Sequence, residues 1–410
     1  MNNQILLPPH VALQTALAAV VPLPPHGCAI DQVGPAFAVA PILADIDQPP
    51  FDRSAMDGFA LRIQDLREHG LRLPCAATVL AGQPLLEPVP QGACVRIMTG
   101  AAVPAGLDAV VPIELAVVEV RAGSQIIEFT HEPRLDQHIA RKGSEVRAGA
   151  QVIAVGDAWT PARVGVAASF GAAQVLTRGP VRVGLVATGD EIVPVGQTPG
   201  PGQIRDSNRY ALQALLCRYG AQVTVYPTAP DTAEGLANLL EIAWRDSDFL
   251  ITTGGVSAGD LDLVAPTVTR LGATTHFHKI AIKPGKPLLF ATLGGKPMLG
   301  LPGNPVSALV CAVLFAVPLL QRLRGAESPQ WQTVQLPLAH SVSPVGPRLE
   351  VQPVRLLASA AGTTVAMLES KGSADLPGYA RADAWALRPA GDAARSAGDR
   401  VDVLWWPRPD

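Results

Sequence analysis

Hydrophobic and polar positions follow different patterns in three parts of the chain. Between residues 51 and 140, short runs of Val, Ile and Leu alternate with Pro and Gly turns, which is typical of a small all-β module. Between residues 181 and 324, apolar strands alternate with amphipathic helices, and this pattern indicates strand–helix–strand units with a parallel sheet. After Gly325 the runs are short and β-like again, so we expect a separate C-terminal β-domain.

Helix boundaries in the middle part are predicted from periodicity and end signals. Residues Ser207–Tyr219 place three leucines on one face, and Gly220 is a typical residue to end the helix. The next helix is expected to begin at Asp231, because an acidic residue follows at the spacing of a capping box. A third helix, from Asn304-Pro305, is apolar nearly all round and should be buried. Its uninterrupted apolar run, residues 306–320, is too short to span a bilayer.

Composition narrows the class of protein. A chain of 410 residues suggests about three domains, and 48% hydrophobic residues allow large cores. The net charge of −3 argues against a general nucleic-acid binder, which normally carries a basic excess. The 5 cysteines form no CxxC pair, which gives no zinc signature and fits reduced thiols. With no secretory signal evident at the N-terminus, the prediction is a cytoplasmic protein that is not embedded in a membrane.

Four Gly-rich turns in the middle part each follow an apolar strand. They lie in the segments Val181–Pro194, Ser247–Asp262, His278–Phe290 and Met298–Val310. In an open parallel sheet such loops gather at the carboxyl ends of the strands, where ligands bind. The charged residues that they would bring to one crevice are Asp190, Glu191, Asp260, Asp262, Lys279, Lys283 and Lys286. Carboxylates for a hard cation, with lysines and backbone amides for phosphate, predict an enzyme of phosphorylated or nucleotide-linked substrates.

Plain structural interpretations compete with this one. Asp190 and Glu191 are typical turn-capping residues, and Asp231 is a typical helix N-cap. Lysines that flank a turn, such as Lys279 and Lys286, are often simply solvated. The loop Thr253–Asp260 is different, because a strand-to-helix turn does not require so many small residues; we favour an anion cradle there.

Two further patterns are weaker on their own. His276 and His278 would face one side of a strand, but without a clear third ligand nearby we interpret them as structural. Upstream, Asp57-Gly58 is first of all a turn signal. The segment Arg96–Ala101 is equally unspecific when it is taken alone.

Taken together, seven segments resemble the molybdopterin molybdenumtransferase family of molybdenum-cofactor biosynthesis. They occur in the family's order and cover residues from about 45 to 325. The segments read PFDRSAMDGFAL, RIMTGAAVPAGLDAVV, VATGDEIV, IRDSN, TTGGVSAGD, KIAIKPGKP and LPGNPVSA. Any one of them is modest evidence, whereas seven in order are highly specific.

The resemblance implies a fold of the class α/β plus β. It comprises a molybdopterin-binding α/β domain with a parallel-rich sheet, two small β modules or barrels, and an elongated linking domain. The expected L-shaped protomer divides into residues 1–50 and 141–178 (linking domain), 51–140 (inserted β module), 179–324 (α/β domain) and 325–410 (C-terminal β-barrel). The family works as a homodimer, with its cleft between the α/β domain of one subunit and the β module of the other.

The activity implied by the resemblance is insertion of molybdate into adenylylated molybdopterin, with Mg²⁺-dependent release of AMP. A molybdopterin adenylyltransferase would act upstream, and molybdoenzymes or their chaperones downstream. Two alternatives stay open: a nucleotide pyrophosphatase that shares the α/β domain, and a non-catalytic paralogue that binds molybdopterin or acts as a scaffold. Whether molybdate or tungstate is preferred, and which molybdoenzyme is served, does not follow from the sequence.

Roles are transferred to the matching positions of this chain. The implied catalytic residues are Asp57, Glu191, Asp262 and Lys283. The implied Mg²⁺ ligands are Asp57, Glu191, Asp231 and Asp262. The residues expected to bind substrate are Thr99, Gly254, Gly255, Ser257, Asp260, Lys279, Lys286 and Asn304.

The chain departs from the family pattern in a few places. Ala140 stands where an arginine is usual, with Arg141 and Lys142 as candidate substitutes. Glu145 replaces an aspartate, and Arg205 stands where an aromatic residue is common. In the C-terminal domain, Gly372-Ser373 is kept but the sequence that follows diverges, which bears on substrate affinity more than on the fold.

Overall fold

The computed structural model describes residues 6–121, 123–230, 232–256, 263–327 and 329–405. These residues form two compact units. Unit 1 is made of the described parts of Met1–Val39, Val155–Thr160 and Gln174–Asp410. Unit 2 is made of those of Ala40–Ala154 and Pro161–Ala173.

The helices fall mainly in unit 1. In chain order they are α1 (Pro9–Ala18), α2 (Ile63–His69), α3 (Pro161–Ser169), α4 (Asn208–Arg218), α5 (Ala233–Asp246), α6 (Val264–Arg270), α7 (Pro305–Cys311) and α8 (Val317–Leu323), followed by α9 (Leu376–Ala380). A π-helical turn, Ala312–Ala316, joins α7 to α8 without a break.

The strands are distributed over both units. Those of the first half are β1 (Pro25–Ala29), β2 (Ile42–Leu43), β3 (Arg53–Ser54), β4 (Gly58–Leu61), β5 (Arg72–Val79), β6 (Cys94–Ile97), β7 (Ala109–Pro112), β8 (Ala116–Arg121), β9 (Ser124–Phe129), β10 (Ile139–Ala140), β11 (Gln151–Ile153), β12 (Gln174–Arg178) and β13 (Arg182–Ala187). Those of the second half are β14 (Ile192–Val193), β15 (Ile204–Arg205), β16 (Gln222–Val225), β17 (Phe249–Thr253), β18 (Thr274–His278), β19 (Ile282–Lys283), β20 (Leu289–Leu293), β21 (Lys296–Leu301), β22 (Thr333–Pro337), β23 (Leu349–Ser359), β24 (Gly362–Met367), β25 (Ala384–Arg388) and β26 (Arg400–Trp405).

The central sheet of unit 1 has the strand order β16-β13-β17-β21-β20-β18. The first four strands are parallel, and β20 runs antiparallel to both of its neighbours. The chain leaves β13 toward β16 on one side and returns to β17 on the other, so the strand order reverses between β13 and β17. Ligands of open α/β sheets bind at such a point. The predicted strand–helix–strand pattern and the parallel-rich sheet are confirmed.

One of the four predicted strand-end loops was wrongly placed. The lysine-bearing segment connects the antiparallel strands β18 and β20 rather than ending a parallel strand. Within it, β19 leaves the central sheet and pairs in parallel with β23 of the C-terminal sheet. The position of Lys283 is therefore set jointly by the two sheets.

The strands after Gly325 form the predicted second sheet of unit 1, in the order β19-β23-β25-β26-β22, with β24 paired to β23. Leu338, just after β22, bridges to Val365 in β24, so the two edges of the sheet meet as in a barrel. This sheet has its own apolar core, yet Val351 and Trp385 belong to the core cluster of the α/β part. The C-terminal sheet is thus packed directly against the α/β part.

Helix predictions in unit 1 were confirmed with one correction. Helix α4 buries Leu212, Leu215 and Leu216, and Gly220 follows it with a φ of 77°. Helix α5 begins one residue later than expected. Its N-cap is Thr232, whose hydroxyl accepts a hydrogen bond of 3.2 Å from the Gly235 amide. The hydroxyl satisfies an unpaired donor of the first turn, so the prediction that Asp231 caps this helix was wrong.

The apolar helix is buried, as predicted, but longer than expected. It runs without interruption over Pro305–Leu323, 19 residues, and by length and composition alone it could cross a membrane. However, 78% of its apolar window is buried inside the protein. Pro318 cannot donate to the carbonyl of Leu314, and the indole of Trp331 donates to that oxygen instead at 2.7 Å. The helix therefore continues past Pro318, as the apolar run predicted, and extends beyond it to Leu323.

Unit 2 is built on a sheet of order β7-β4-β6-β5-β9-β8. Alternate residues of β4 enter different cores: Phe59 and Leu61 pack in one, and Ala60 packs in the other. Helix α2, which covers part of this sheet, corrects the expectation of an all-β module.

Candidate functional site

Three loops at the carboxyl ends of parallel strands line one cavity of about 820 Å³ in unit 1. They contribute Thr188, Gly189 and Glu191 after β13, residues 254–256 after β17 and residues 302–304 after β21. The three strands are neighbours in the sheet, which is why their loops converge. The cavity volume lies in the range of small-molecule sites. The predicted convergence of the Gly-rich turns is therefore seen in the described residues, and Glu191, Gly254, Gly255 and Asn304 all line the cavity.

Glycine is required where these loops approach each other. Gly254 has a φ of 90°, and a Cβ built on it would lie 2.7 Å from the carbonyl oxygen of Thr188. Gly189 has a φ of 124°, and a Cβ there would lie 2.4 Å from Oε2 of Glu191. The Glu191 carboxylate is thus folded over a residue without a side chain. The backbone carbonyl of Glu191 accepts a hydrogen bond of 2.8 Å from the backbone amide of Ile204, which also lines the cavity.

Asn208 holds two of these loops together, a role that sequence reasoning missed. Its side-chain amide donates to Oγ1 of Thr253 at 2.8 Å and to the carbonyl of Gly303 at 2.7 Å. Asn208 belongs to the segment IRDSN, which we quoted only as part of the family resemblance. Two donors on one planar amide tie the end of β17 to the turn after β21.

The lysine segment contributes two cations to the same cavity. Lys283 and Lys286 line it, together with Pro284, Gly285 and Pro287. Lys279 is not among the described residues that line the cavity. It has a φ of 76°, and its amide donates to the carbonyl of Leu288 at 2.9 Å. Its described contact is thus with the backbone of its own segment, and its predicted role in substrate binding stays a prediction.

The C-terminal sheet supplies the opposite wall. The lining residues that it and the segment after β24 contribute are Arg348, Glu350, Val351, Gln352, Pro353, Leu368, Ser370, Gly372, Ser373 and Tyr379. Oε1 of Glu350 lies 2.9 Å from Nζ of Lys283, and Nη1 of Arg348 donates to the carbonyl of Ile282 at 3.4 Å. Sequence reasoning had singled out only Gly372-Ser373 here, because no spacing links this region to the earlier motifs.

Asn304 joins the two walls. Its side-chain amide donates to Oγ of Ser373 at 2.9 Å, and the amide of Val306 donates to the carbonyl of the same serine at 3.1 Å. The predicted role of Asn304 in substrate binding stays a prediction, and its side-chain amide already donates to Ser373. Asn304 therefore has a positioning role in addition to its place in the cavity wall.

Asp57 and Thr99 meet in unit 2. The Thr99 amide and hydroxyl both donate to Oδ1 of Asp57, at 2.6 and 2.8 Å. These two hydrogen bonds hold the pKa of the Asp57 carboxyl below its usual range. The pairing of β4 with β6 brings the two residues together, because Gly58 is opposite Ile97 in the ladder. The fold thus brings together two of the site residues that the resemblance implied, and the lowered pKa favours the ionised carboxylate.

Two of the departures from the family pattern, Arg141 beside Ala140 and Glu145, lie in unit 2 and form ion pairs there. Arg141, beside Ala140, forms ion pairs with both Asp52 and Asp136. These two carboxylates raise the pKa of the Arg141 guanidinium, so it remains a cation. Glu145 lies 3.0 Å from the guanidinium of Arg53. Arg141 therefore holds Asp52, at the start of the segment that leads to Asp57, against Asp136.

Four predicted site residues, Asp231, Ser257, Asp260 and Asp262, lie outside the described residues. Among the residues that are described, no three His, Cys, Asp or Glu side chains form a metal-binding group. His276 donates to or accepts from Thr292 at 2.9 Å, and His278 contacts the carbonyl of Val256 at 3.1 Å. These contacts are with a threonine and a backbone carbonyl, and the structural interpretation of the two histidines stays a prediction.

Comparison with known proteins covers almost the whole chain. Three family models match: the MoeA N-terminal region (domain I and II) over residues 7–171, a probable molybdopterin binding domain over 184–322, and the MoeA C-terminal region (domain IV) over 335–406. Two curated relatives carry the name molybdopterin molybdenumtransferase. The one from Synechococcus elongatus is 38% identical over 96% of this chain and 98% of its own. The one from Haemophilus influenzae is 39% identical over 71% of this chain and 70% of its own.

Two solved structures that resemble this chain carry the name of the same family. The molybdopterin biosynthesis MoeA protein from Pyrococcus horikoshii is 30% identical, with a TM-score of 0.77 and coverage of 98% of this chain and 99% of that one. A second structure of that name has a TM-score of 0.82 at 24% identity, which supports the fold. The chain therefore belongs to the molybdopterin molybdenumtransferase family of transferases.

Proposed function

We propose that this chain inserts molybdate into adenylylated molybdopterin, with Mg²⁺-assisted release of AMP. The observation that carries the proposal is the composition of the cavity wall. Gly-rich turns and Glu191 form one side, while Lys283, Lys286 and Arg348 place three cations around the remainder. A substrate with two linked phosphoryl groups, together with a tetrahedral oxyanion, matches this arrangement of amides and cations.

The residues would act by position and charge. The turn at Gly254 lets the backbone approach a phosphoryl group closely, since a side chain there would collide with Thr188. Lys283 and Lys286 would offset negative charge as water attacks a phosphorus of the phosphoanhydride, the bridging P–O bond breaks and AMP leaves. Molybdenum would then be held by the dithiolene sulfurs of the pterin. No side chain of this cavity needs to form a covalent bond with the substrate.

One described carboxylate of the cavity is suited to hold a magnesium ion. Glu191 is the one carboxylate of the predicted Mg²⁺ set that lines this cavity among the described residues. Magnesium usually takes one or two carboxylates and fills its other positions with water and substrate phosphate. Glu191 would hold it, and the bound ion would polarise the phosphoryl oxygens.

The proposal includes a second copy of the chain and partners in the pathway. Asp57 and Thr99 would complete the site of another subunit in a homodimer. The substrate would come from a molybdopterin adenylyltransferase, and the product would pass to a molybdoenzyme or its chaperone, all in the cytoplasm. The upstream segments SAMDG and RIMTGA support this over a pyrophosphatase, because a lone α/β domain would not require them.

The test is the reaction itself. Purified protein is incubated with adenylylated molybdopterin, Mg²⁺ and molybdate, and both AMP and active cofactor are measured. The expected result is AMP release that depends on molybdate and accompanies cofactor formation. AMP release without insertion would instead indicate a pyrophosphatase, and tight binding without turnover would indicate a carrier or scaffold.

Glu191→Gln should lower the rate of molybdate insertion by more than about a hundredfold while the protein stays folded. The amide keeps the shape of the side chain but removes the charge. Glu241→Gln is the matched control, because Glu241 is an exposed residue of α5 outside the cavity wall. Full insertion activity in the Glu191 variant would show that the site is wrongly assigned.

A further inference from the structure

A carboxylate stands in the cationic part of the cavity. Glu350 lines it beside Lys283, with Oε1 2.9 Å from the ammonium. Its other oxygen, Oε2, accepts a hydrogen bond of 3.1 Å from the side-chain amide of Gln352. A negative charge at this place opposes the binding of any anion to the neighbouring lysine, and it therefore affects which anions the cavity can hold.

The two partners are held to different degrees. Lys283 and Glu350 are opposite each other in the parallel ladder of β19 and β23, so their backbones are fixed side by side. The Glu350 side chain is 14% exposed and has a second partner, whereas the Lys283 side chain is 59% exposed. An arriving anion can therefore draw the ammonium away from the carboxylate, while the carboxylate itself stays in place.

We propose that Glu350 is a specificity-determining residue that competes with the bound anion for Lys283 and limits the affinity of the cavity for highly charged ligands. The proposal rests on the proposed function, because it takes the cavity to be the oxyanion site. Repulsion between Glu350 and a ligand grows in proportion to the ligand's charge. Glu350 therefore weakens a dianion more than a monoanion and favours release of the phosphorylated product.

Two tetrahedral oxyanions of similar size but different charge test this. Molybdate is a dianion and perrhenate a monoanion, and their binding to the full-length protein is measured by equilibrium dialysis with elemental analysis. Glu350→Gln keeps the size of the side chain and its contact with Gln352. We expect it to bind molybdate roughly tenfold more tightly and perrhenate roughly threefold more tightly. A misfolded variant would lose affinity, so the sign of the change separates the proposal from a structural role.

Two further variants sharpen the result. Glu241→Gln removes the same charge from an exposed position on α5 that does not line the cavity, and should leave both affinities unchanged. In a Lys283→Met background, Glu350→Gln should produce a smaller gain, because only repulsion and no competition for the ammonium remains. Thermal unfolding of each variant is recorded in parallel.

The outcomes separate the two proposals. If the wild-type protein binds neither oxyanion, the oxyanion site of the proposed function fails, and the role of Glu350 fails with it. If the wild type binds molybdate but Glu350→Gln binds it no more tightly, only the role of Glu350 is overturned. An equal gain for the two anions would also overturn it, since a charge effect must scale with ligand charge.

Discussion

The two walls of the cavity were built in different ways. The Gly-rich wall comes from loops that follow neighbouring parallel strands, so each loop reaches the site because its own strand ends there. The cationic wall comes from the lysine segment and the C-terminal sheet, which are brought together by pairing of β19 with β23. The first wall depends on backbone conformation at single glycines, and the second depends on charges carried by two distant parts of the chain.

We expect the largest effect from a substitution in the Gly-rich wall. Gly254→Ala places a Cβ 2.7 Å from the Thr188 carbonyl oxygen at a residue with a φ of 90°. We expect it to lower the free energy of unfolding by about 2–4 kcal/mol, and to abolish oxyanion binding. Chemical denaturation provides the measurement. Gly346→Ala is the control, because a Cβ there meets nothing within 4 Å, and it should be close to neutral. Equal stability of the two variants would contradict the steric argument.

The cationic wall should respond in affinity more than in stability. Arg348→Ala removes one cation of the cavity, and we expect molybdate to bind about tenfold more weakly while thermal unfolding changes little. Arg355→Ala, on the strand β23 that directly follows Arg348, is the matched control, since Arg355 is exposed, donates to the carbonyl of Arg381 and does not line the cavity. An equal loss in both variants would mean that the effect comes from net charge rather than from the wall.

The smallest effect is expected in unit 2. Thr99→Val removes the hydroxyl donor to Asp57 and leaves the backbone donor, so the pKa of the carboxyl should rise part of the way toward its usual value. Because the folded-state pKa is lowered, these hydrogen bonds stabilise the fold above the unfolded pKa, and this contribution is lost as pH falls through the folded pKa. In the variant the folded-state pKa lies closer to the unfolded one. The pH range over which this stability is lost should therefore be narrower than in the wild type.

Carbon NMR titration of the Asp57 carboxyl measures the shift. Thr78→Val, an exposed residue of β5, is the control and should leave the titration unchanged. A carboxyl that titrates as in the wild type after loss of the Thr99 hydroxyl would show that the backbone amide alone sets its pKa.

Local signals predicted single elements well and their boundaries less well. The face of α4 and its terminal glycine followed from periodicity. The start of α5 did not, because Thr232 and Asp231 are both good caps and the tertiary structure uses the threonine. Helix α2 was missed, since its 7 residues are too few for a periodic pattern to stand out.

The sequence by itself determined the alternation of strands and helices, the converging glycine turns and the family, because these depend on local periodicity, on backbone freedom and on motif order. Only the tertiary structure decided that β19 joins the C-terminal sheet, that Glu350 meets Lys283, and that Arg348 lies in the same wall. Lys283 and Glu350 are far apart in the chain, and pairing over such a separation leaves no local pattern. The charge balance of the site is therefore a property of the fold.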